Sequence, residues 1–151
     1  MRKGNTAPDI QFPQAVYPSA TFQPKKLSDY DSPYTLVVFG ASWCPSCAED
    51  VPQIAKYYPK WKSEGMDVLF VSLDKSEMEL ISFTARFPFV SICDYMVWDS
   101  PIVRNYHVFG TPTMFLLDNS RTIILRPTSI KQVDAWVDWY LAQGNPLPEL
   151  R

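Results

Sequence analysis

Two cysteines separated by two residues, Cys44 and Cys47, stand where a continuous apolar run gives way to an amphipathic one. The run Thr35-Leu36-Val37-Val38-Phe39 is short, rich in β-branched and aromatic residues and closed by Gly40, which predicts a buried strand. From Ser46 to about Tyr58, Val51, Ile54, Ala55 and Tyr58 share one face at helical spacing. A helix that begins beside Cys44 places its sulfur near unpaired backbone N–H groups and the positive end of the macrodipole, where an anion is favoured. A thiolate is such an anion, so the placement predicts a redox dithiol. The same spacing in a loop is also half of a zinc site, and the flanking strand and helix carry the distinction.

The rest of the composition excludes several classes. With 151 residues, 46% hydrophobic and 20% charged, the chain is expected to form a single domain over 1–151, with an irregular lead-in to about residue 30. That lead-in is where prolines cluster, from Pro8 to Pro33, and it favours extended segments and short edge strands. A net charge of -2 with both signs interspersed gives no basic face for nucleic acid. No apolar run approaches the roughly 18 residues of a membrane span. Polar residues and Pro8 follow Met1-Arg2-Lys3-Gly4 in place of a signal-peptide core, so any export signal or anchor is expected to lie outside this sequence. Three cysteines are too few for a disulfide scaffold; a pair plus one leftover suits a catalytic dithiol and a bystander.

Beyond the dithiol, Pro52 is expected to kink the first helix and Pro59 to fall near its end. The spacing then predicts a strand over Asp67 to Leu73, a helix from about Ser76 to Arg86 and a short strand over Phe89 to Cys93. Asp99-Ser100-Pro101 reads as a helix start leading to Tyr106. Thr113 to Leu117, the turn Asp118-Asn119-Ser120 and Thr122 to Leu125 form an expected antiparallel hairpin. Ser129 caps a last helix with Ile130, Val133, Val137, Tyr140 and Leu141 on its apolar stripe and Gly144 as its stop. Alternating β and α units followed by a hairpin and a helix predict an α/β fold with a mixed central sheet flanked by helices.

The segment Phe39-Gly40-Ala41-Ser42-Trp43-Cys44-Pro45-Ser46-Cys47, then Asp50 and Pro52, and later Gly110-Thr111-Pro112-Thr113, resembles the thioredoxin superfamily. Within it the chain is most similar to the extracytoplasmic thiol-disulfide oxidoreductases of the TlpA and ResA group. The opening Gly4-Asn5-Thr6-Ala7-Pro8-Asp9, Leu27-Ser28-Asp29 and an added helix and strand in mid-fold share in that likeness, which covers about Gly4 to Leu141. It implies a thioredoxin-like fold with an N-terminal extension and a central helix-strand insertion.

For disulfide exchange the attacking group is a thiolate, which makes Cys44 the expected nucleophile and Cys47, one helical turn on, the resolving cysteine. The resemblance implies that Trp43 shields one side of the site, that Pro112 is a cis-proline on the other, and that the Thr111 backbone meets an extended substrate. It also places a tuning glutamate where Asp50 stands; a carboxylate there would relay the proton of the resolving thiol, or else be a solvated helix residue beside Glu49. Pro45 directly after the nucleophile is shared with glutaredoxins and DsbA, and the group likeness favours a reductase. Expected partners are protein thiols or disulfides and an upstream redox protein; no cofactor beyond the redox-active disulfide is expected, and the expected compartment is the bacterial periplasm or cell envelope.

Other residues have competing readings. Cys93, flanked by Val90-Ser91-Ile92, reads as a small buried hydrophobe, and His107, after Tyr106, as a helix-end residue. Joined to Cys44 and Cys47 they make a zinc set on paper, with a spacing that matches no zinc pattern. Trp136, Trp139 and Tyr140, and the phenylalanines between Phe83 and Phe89, read as core before partner surface. A peroxiredoxin would need a threonine where Ala41 stands. A non-enzymatic module, either a copper chaperone or a partner-recruiting domain, remains the alternative to exchange; copper-carrying relatives space their cysteines by three residues and add a histidine near the cis-proline, whereas His107 lies several residues before Pro112.

Overall fold

A computed structural model describes residues 1–144; residues 145–151, the last part of the expected domain, lie outside the described residues. The strands are β1 (Gln14–Val16), β2 (Tyr34–Gly40), β3 (Met66–Ser72), β4 (Val90–Cys93), β5 (Thr113–Asp118) and β6 (Ile123–Leu125). The α-helices are α1 (Pro45–Ser63), α2 (Glu77–Thr84), α3 (Pro101–Asn105) and α4 (Ile130–Trp136), the last running into a π-helical turn, Val137–Ala142. One sheet holds all six strands in the order β1-β4-β3-β2-β5-β6. β2, β3 and β4 are parallel, whereas β5 is antiparallel to β2, β6 to β5 and β1 to β4. This is the mixed, helix-flanked sheet expected from the sequence.

Side-chain alternation along β2 and β3 assigns the helices to faces. Val38 pairs with Phe70 and Phe39 with Val71, so Phe39 and Phe70 point to opposite sides. Phe70 meets Phe83 of α2 edge-on, and Tyr34, in phase with Val38, meets Trp136 of α4. Phe39 packs on Tyr106, just past α3, and on Phe115. The two crossovers β2-α1-β3 and β3-α2-β4 step the same way across the sheet, and their shared right-handedness puts α1 and α2 on one face. Tyr106 also donates its hydroxyl proton to the Pro8 carbonyl, at 2.5 Å, which pins the lead-in to the α3 face.

Several element ends differ from the sequence expectation. α1 runs through Pro59 to Ser63. A proline there removes one backbone bond, whereas Trp61 on the next turn is fully buried and donates its indole N–H to Asp134 of α4 at 2.9 Å, so tertiary packing extends the helix. α2 stops at Thr84, short of Arg86, as Phe87 and Phe89 turn into the core beside Phe70 and Tyr58. In the terminal helix Ile130, Val133, Trp136 and Val137 are buried, whereas Tyr140 and Leu141 are half-buried and Trp139 is 54% exposed. No described helix is long and apolar enough to cross a membrane.

Candidate active site

The loop 41–44 carries the chain from the C-terminal end of β2 into α1. Cys44 is the N-cap of α1, and Pro45 follows at its first turn, where the missing N–H costs nothing. The Cys44 sulfur accepts the Cys47 N–H at 3.3 Å. The Cys47 thiol, one turn on, points at the same sulfur at 2.7 Å. From the other side the Thr111 carbonyl lies 3.6 Å from Cys44 Sγ, and the Thr111–Pro112 peptide is cis. The structure thus brings together Trp43, Cys44, Cys47, Thr111 and Pro112 from three separate stretches of chain.

Electrostatics divides the two thiols. Burial works against ionisation of Cys44, but hydrogen bonding with the Cys47 thiol, with Thr111 and with the backbone N–H groups of Cys47 and Ser46 outweighs it and holds its pKa below the ordinary thiol value. Cys47 is pushed up to about 12 by burial and by donating its proton to Cys44. One sulfur is the more readily ionised and its neighbour is kept as a thiol, the division of labour that nucleophilic attack and later resolution require.

Trp43 is 44% exposed, donates its indole N–H to the Leu73 carbonyl at 3.3 Å and meets Trp98 edge-on, with ring centroids 6.5 Å apart. Trp98, Arg104, Val108 and Phe109 line an open hollow beside it. Asp50 sits half-buried on α1, one turn beyond Cys47, and is not among the hydrogen-bond partners of either sulfur.

Cys93 is buried in β4; its thiol donates to the Asp74 carbonyl and accepts the Tyr95 N–H, and burial raises its pKa. His107 is exposed with a left-handed backbone, φ 53°, just past α3. Among the described residues no three His, Cys, Asp or Glu side chains converge on a possible metal position, so the paper zinc set is not assembled. Two residues were not singled out from sequence: Trp98, in a short 3-10 turn, and Asp74, just past β3. Asp74 had a usable signal, since Ser72 and Asp74 are polar at the carboxyl end of a strand core that is otherwise apolar, where α/β sheets place their sites.

The ResA thiol-disulfide oxidoreductase of Geobacillus kaustophilus is 28% identical over 78% of this chain, and the chain spans 64% of that relative's length. A structure from Chlorobium tepidum, provisionally described as the thiol:disulfide interchange protein DsbE, is 30% identical, covers 89% of this chain and 90% of its own, and superposes with a TM-score of 0.70. The thioredoxin domain of a Bacteroides vulgatus thiol-disulfide oxidoreductase, 22% identical over 91% of this chain and 99% of its own, shares the fold with a TM-score of 0.72. With the AhpC/TSA family model matching residues 3–126, the chain belongs to the AhpC/TSA family and carries the thioredoxin-like fold of these relatives.

Proposed function

We propose that this chain is a thiol-disulfide oxidoreductase that reduces disulfides of protein substrates through the Cys44–Cys47 pair. The observation that carries this reading is the asymmetric dithiol at the helix N-terminus, with Cys44 lowered and Cys47 raised in pKa. The Cys44 thiolate attacks one sulfur of the substrate disulfide; an S–S bond forms to Cys44, and the other substrate sulfur leaves as a thiolate that takes a proton. Cys47 then loses its proton, through water to Asp50, and attacks Cys44 Sγ. The mixed disulfide breaks, the second substrate sulfur leaves as a thiolate that takes up the proton Cys47 released, and Cys44 and Cys47 are joined. The substrate has gained two electrons from the pair and two protons, one from Cys47 and one from solvent, and a protein dithiol upstream restores the pair. The couple is the protein's own sulfur, with no further cofactor.

Trp43 shields the exchanging sulfurs on one side, and Thr111 and Pro112 frame the substrate on the other. The naming of relatives as thiol-disulfide oxidoreductases supports the activity, and the likeness to the ResA group supports a reductase of the bacterial cell envelope, where a catalytic disulfide persists more readily than in the cytosol. The described residues, 1–144, make up one catalytic domain.

The test is trapping. Cys47→Ser is expected to accumulate a mixed disulfide with a disulfide-bonded substrate protein, released by added thiol, while Cys44→Ser gives none. Equal trapping by both variants, or none by either with a wild-type protein that does not exchange with glutathione, would overturn the reading.

A further inference from the structure

A buried carboxylate beneath the nucleophile's loop has no part in the exchange steps described so far. Asp74 is 0% exposed, and among the described residues no lysine or arginine pairs with it. A carboxyl group in such a place is held only if hydrogen bonds replace the water it has lost. Its Oδ1 accepts both donors of Ser42, the backbone N–H at 3.0 Å and the hydroxyl at 2.5 Å. Its Oδ2 accepts the Ser72 hydroxyl at 2.6 Å, and the Ser72 oxygen in turn accepts the Asp74 N–H at 2.9 Å. From behind, the Cys93 thiol donates to the Asp74 carbonyl at 3.2 Å, so the leftover cysteine braces this residue.

The adjoining residue grips the same loop. Leu73 donates its N–H to the Gly40 carbonyl at 2.8 Å and accepts the Trp43 indole N–H at 3.3 Å. Gly40, Ser42 and Trp43 are thereby tied to Leu73-Asp74, and the Cys44 N–H closes the turn onto the Ala41 carbonyl at 3.3 Å. Asp74's partner Ser42 lies just ahead of the nucleophile in the same loop, and the Cys44 sulfur must stay within reach of the Cys47 N–H for its thiolate to be favoured.

We propose that Asp74 is a positioning residue for Cys44: by taking both Ser42 donors it fixes the loop that delivers the nucleophilic sulfur to the N-terminus of α1. It acts through Ser42 and does not touch the reacting atoms. The inference rests on the exchange reading of the Cys44–Cys47 pair and concerns how that pair is tuned. Loss of the latch lets the loop relax, Cys44 Sγ drift from the Cys47 N–H and the thiol return toward its ordinary titration.

The experiment compares Asp74→Ala, Asp74→Asn and Ser42→Ala with the wild-type chain, reading the pH profile of Cys44 alkylation by peptide mass and the dithiol equilibrium in a glutathione series. Asparagine keeps an oxygen for both Ser42 donors, so Asp74→Asn is expected to stay near wild type. In Asp74→Ala the alkylation midpoint rises by about one pH unit, equivalent to a roughly tenfold slower reaction at pH 7, and the glutathione equilibrium moves toward the disulfide. Ser42→Ala, a change at a half-buried position that removes one of the two bonds, shifts both in the same direction by less. A folded Asp74→Ala with the wild-type profile, or Asp74→Asn as impaired as alanine, would overturn the proposal. If Asp74→Ala does not fold, Ser42→Ala decides: a raised midpoint supports the latch and an unchanged one overturns it. A wild-type chain that forms no Cys44–Cys47 disulfide defeats the exchange reading instead, while the alkylation profiles still judge Asp74.

Discussion

The main-chain carbonyl of Thr111 lies 3.6 Å from the sulfur of Cys44, across 67 positions of sequence. The two motifs at the ends of that contact come from the first parallel unit and from the entry to the antiparallel hairpin, and only the closed sheet joins them. β2 makes the junction because it pairs with β3 on one side and with β5 on the other, so its C-terminal end and the start of β5 lie side by side at one end of the strands.

The split between the two thiols sets how the potential of the pair varies with pH. Below the Cys44 pKa, reduction takes up two protons and the potential should fall by about 59 mV per pH unit; above it only one is taken up and the slope should halve to about 30 mV. The first break is expected below 9, because Cys44 is lowered from 9.0, and the second near 12, because Cys47 is raised there. Stability of the reduced form follows with opposite signs. As pH rises from the native Cys44 pKa toward its unfolded value, the unfolded chain holds more protons and the native state gains. From about 9 to about 12 the unfolded chain has released the Cys47 proton that the native state retains, and the native state loses. A potential that falls by about 59 mV per unit through pH 9 would show that Cys44 is not lowered.

Asp50 is predicted to act on resolution and not on attack. It stands three positions after Cys47 on α1, on the same helical side. Asp50→Asn should slow release of the reduced substrate by about tenfold, below the range a well-placed base contributes in direct contact, while the burst of mixed disulfide formed by Cys44 keeps its rate. Single-turnover quenched flow separates the two steps. Unchanged release would make Asp50 a solvated helix carboxylate.

Trp98 is predicted to contribute to protein substrates alone. Its ring stands edge-on to Trp43 and 42% exposed, with Phe109, 88% exposed, across the adjoining hollow. An aromatic contact of this kind is worth about 1 kcal/mol, so Trp98→Ala should raise KM for a polypeptide disulfide about fivefold. The equilibrium with glutathione is set by the Cys44–Cys47 couple itself and not by contacts a substrate makes with Trp98, so it should not change. An equal loss with both substrates would assign Trp98 to the packing of Trp43.

What was legible from the sequence was local. The strand-to-helix junction at Cys44, the helix starts near Ser76 and at Asp99-Ser100-Pro101, the Ser129 cap and the hairpin from Thr113 follow from periodicity and capping chemistry within a few residues, and each is present. Helix length was misjudged where a long-range contact decides it: Trp61 binds Asp134 of α4 across 73 positions, which no window around Pro59 contains. Trp98 and Asp74 were missed for the same reason. A tryptophan in a short 3-10 turn has no periodicity, and the partner that gives Asp74 its meaning, Ser42, lies 32 positions away. Cys93, by contrast, was legible as a buried hydrophobe from its apolar neighbours, but its bond to Asp74 was not.

Gly40 closes β2 directly under Cys47. A Cβ added there would stand 3.1 Å from Cys47 Sγ and 3.2 Å from the Phe70 ring, both fully buried. Neither neighbour has free room: Phe70 packs edge-on against both Phe83 and Phe87, and Cys47 is fixed on α1 by its place beneath Cys44. Overpacking of this kind costs about 1–3 kcal/mol. Gly40→Ala should therefore lower the stability of the reduced protein by an amount in that range, read from urea denaturation at an unchanged m-value. Because the sulfur is the softer neighbour, it should yield first and leave its line toward Cys44, so resolution slows while attack by Cys44 does not. Wild-type stability combined with wild-type resolution would show that α1 can shift by the few tenths of an ångström the methyl group requires, and that the glycine is not what seats Cys47.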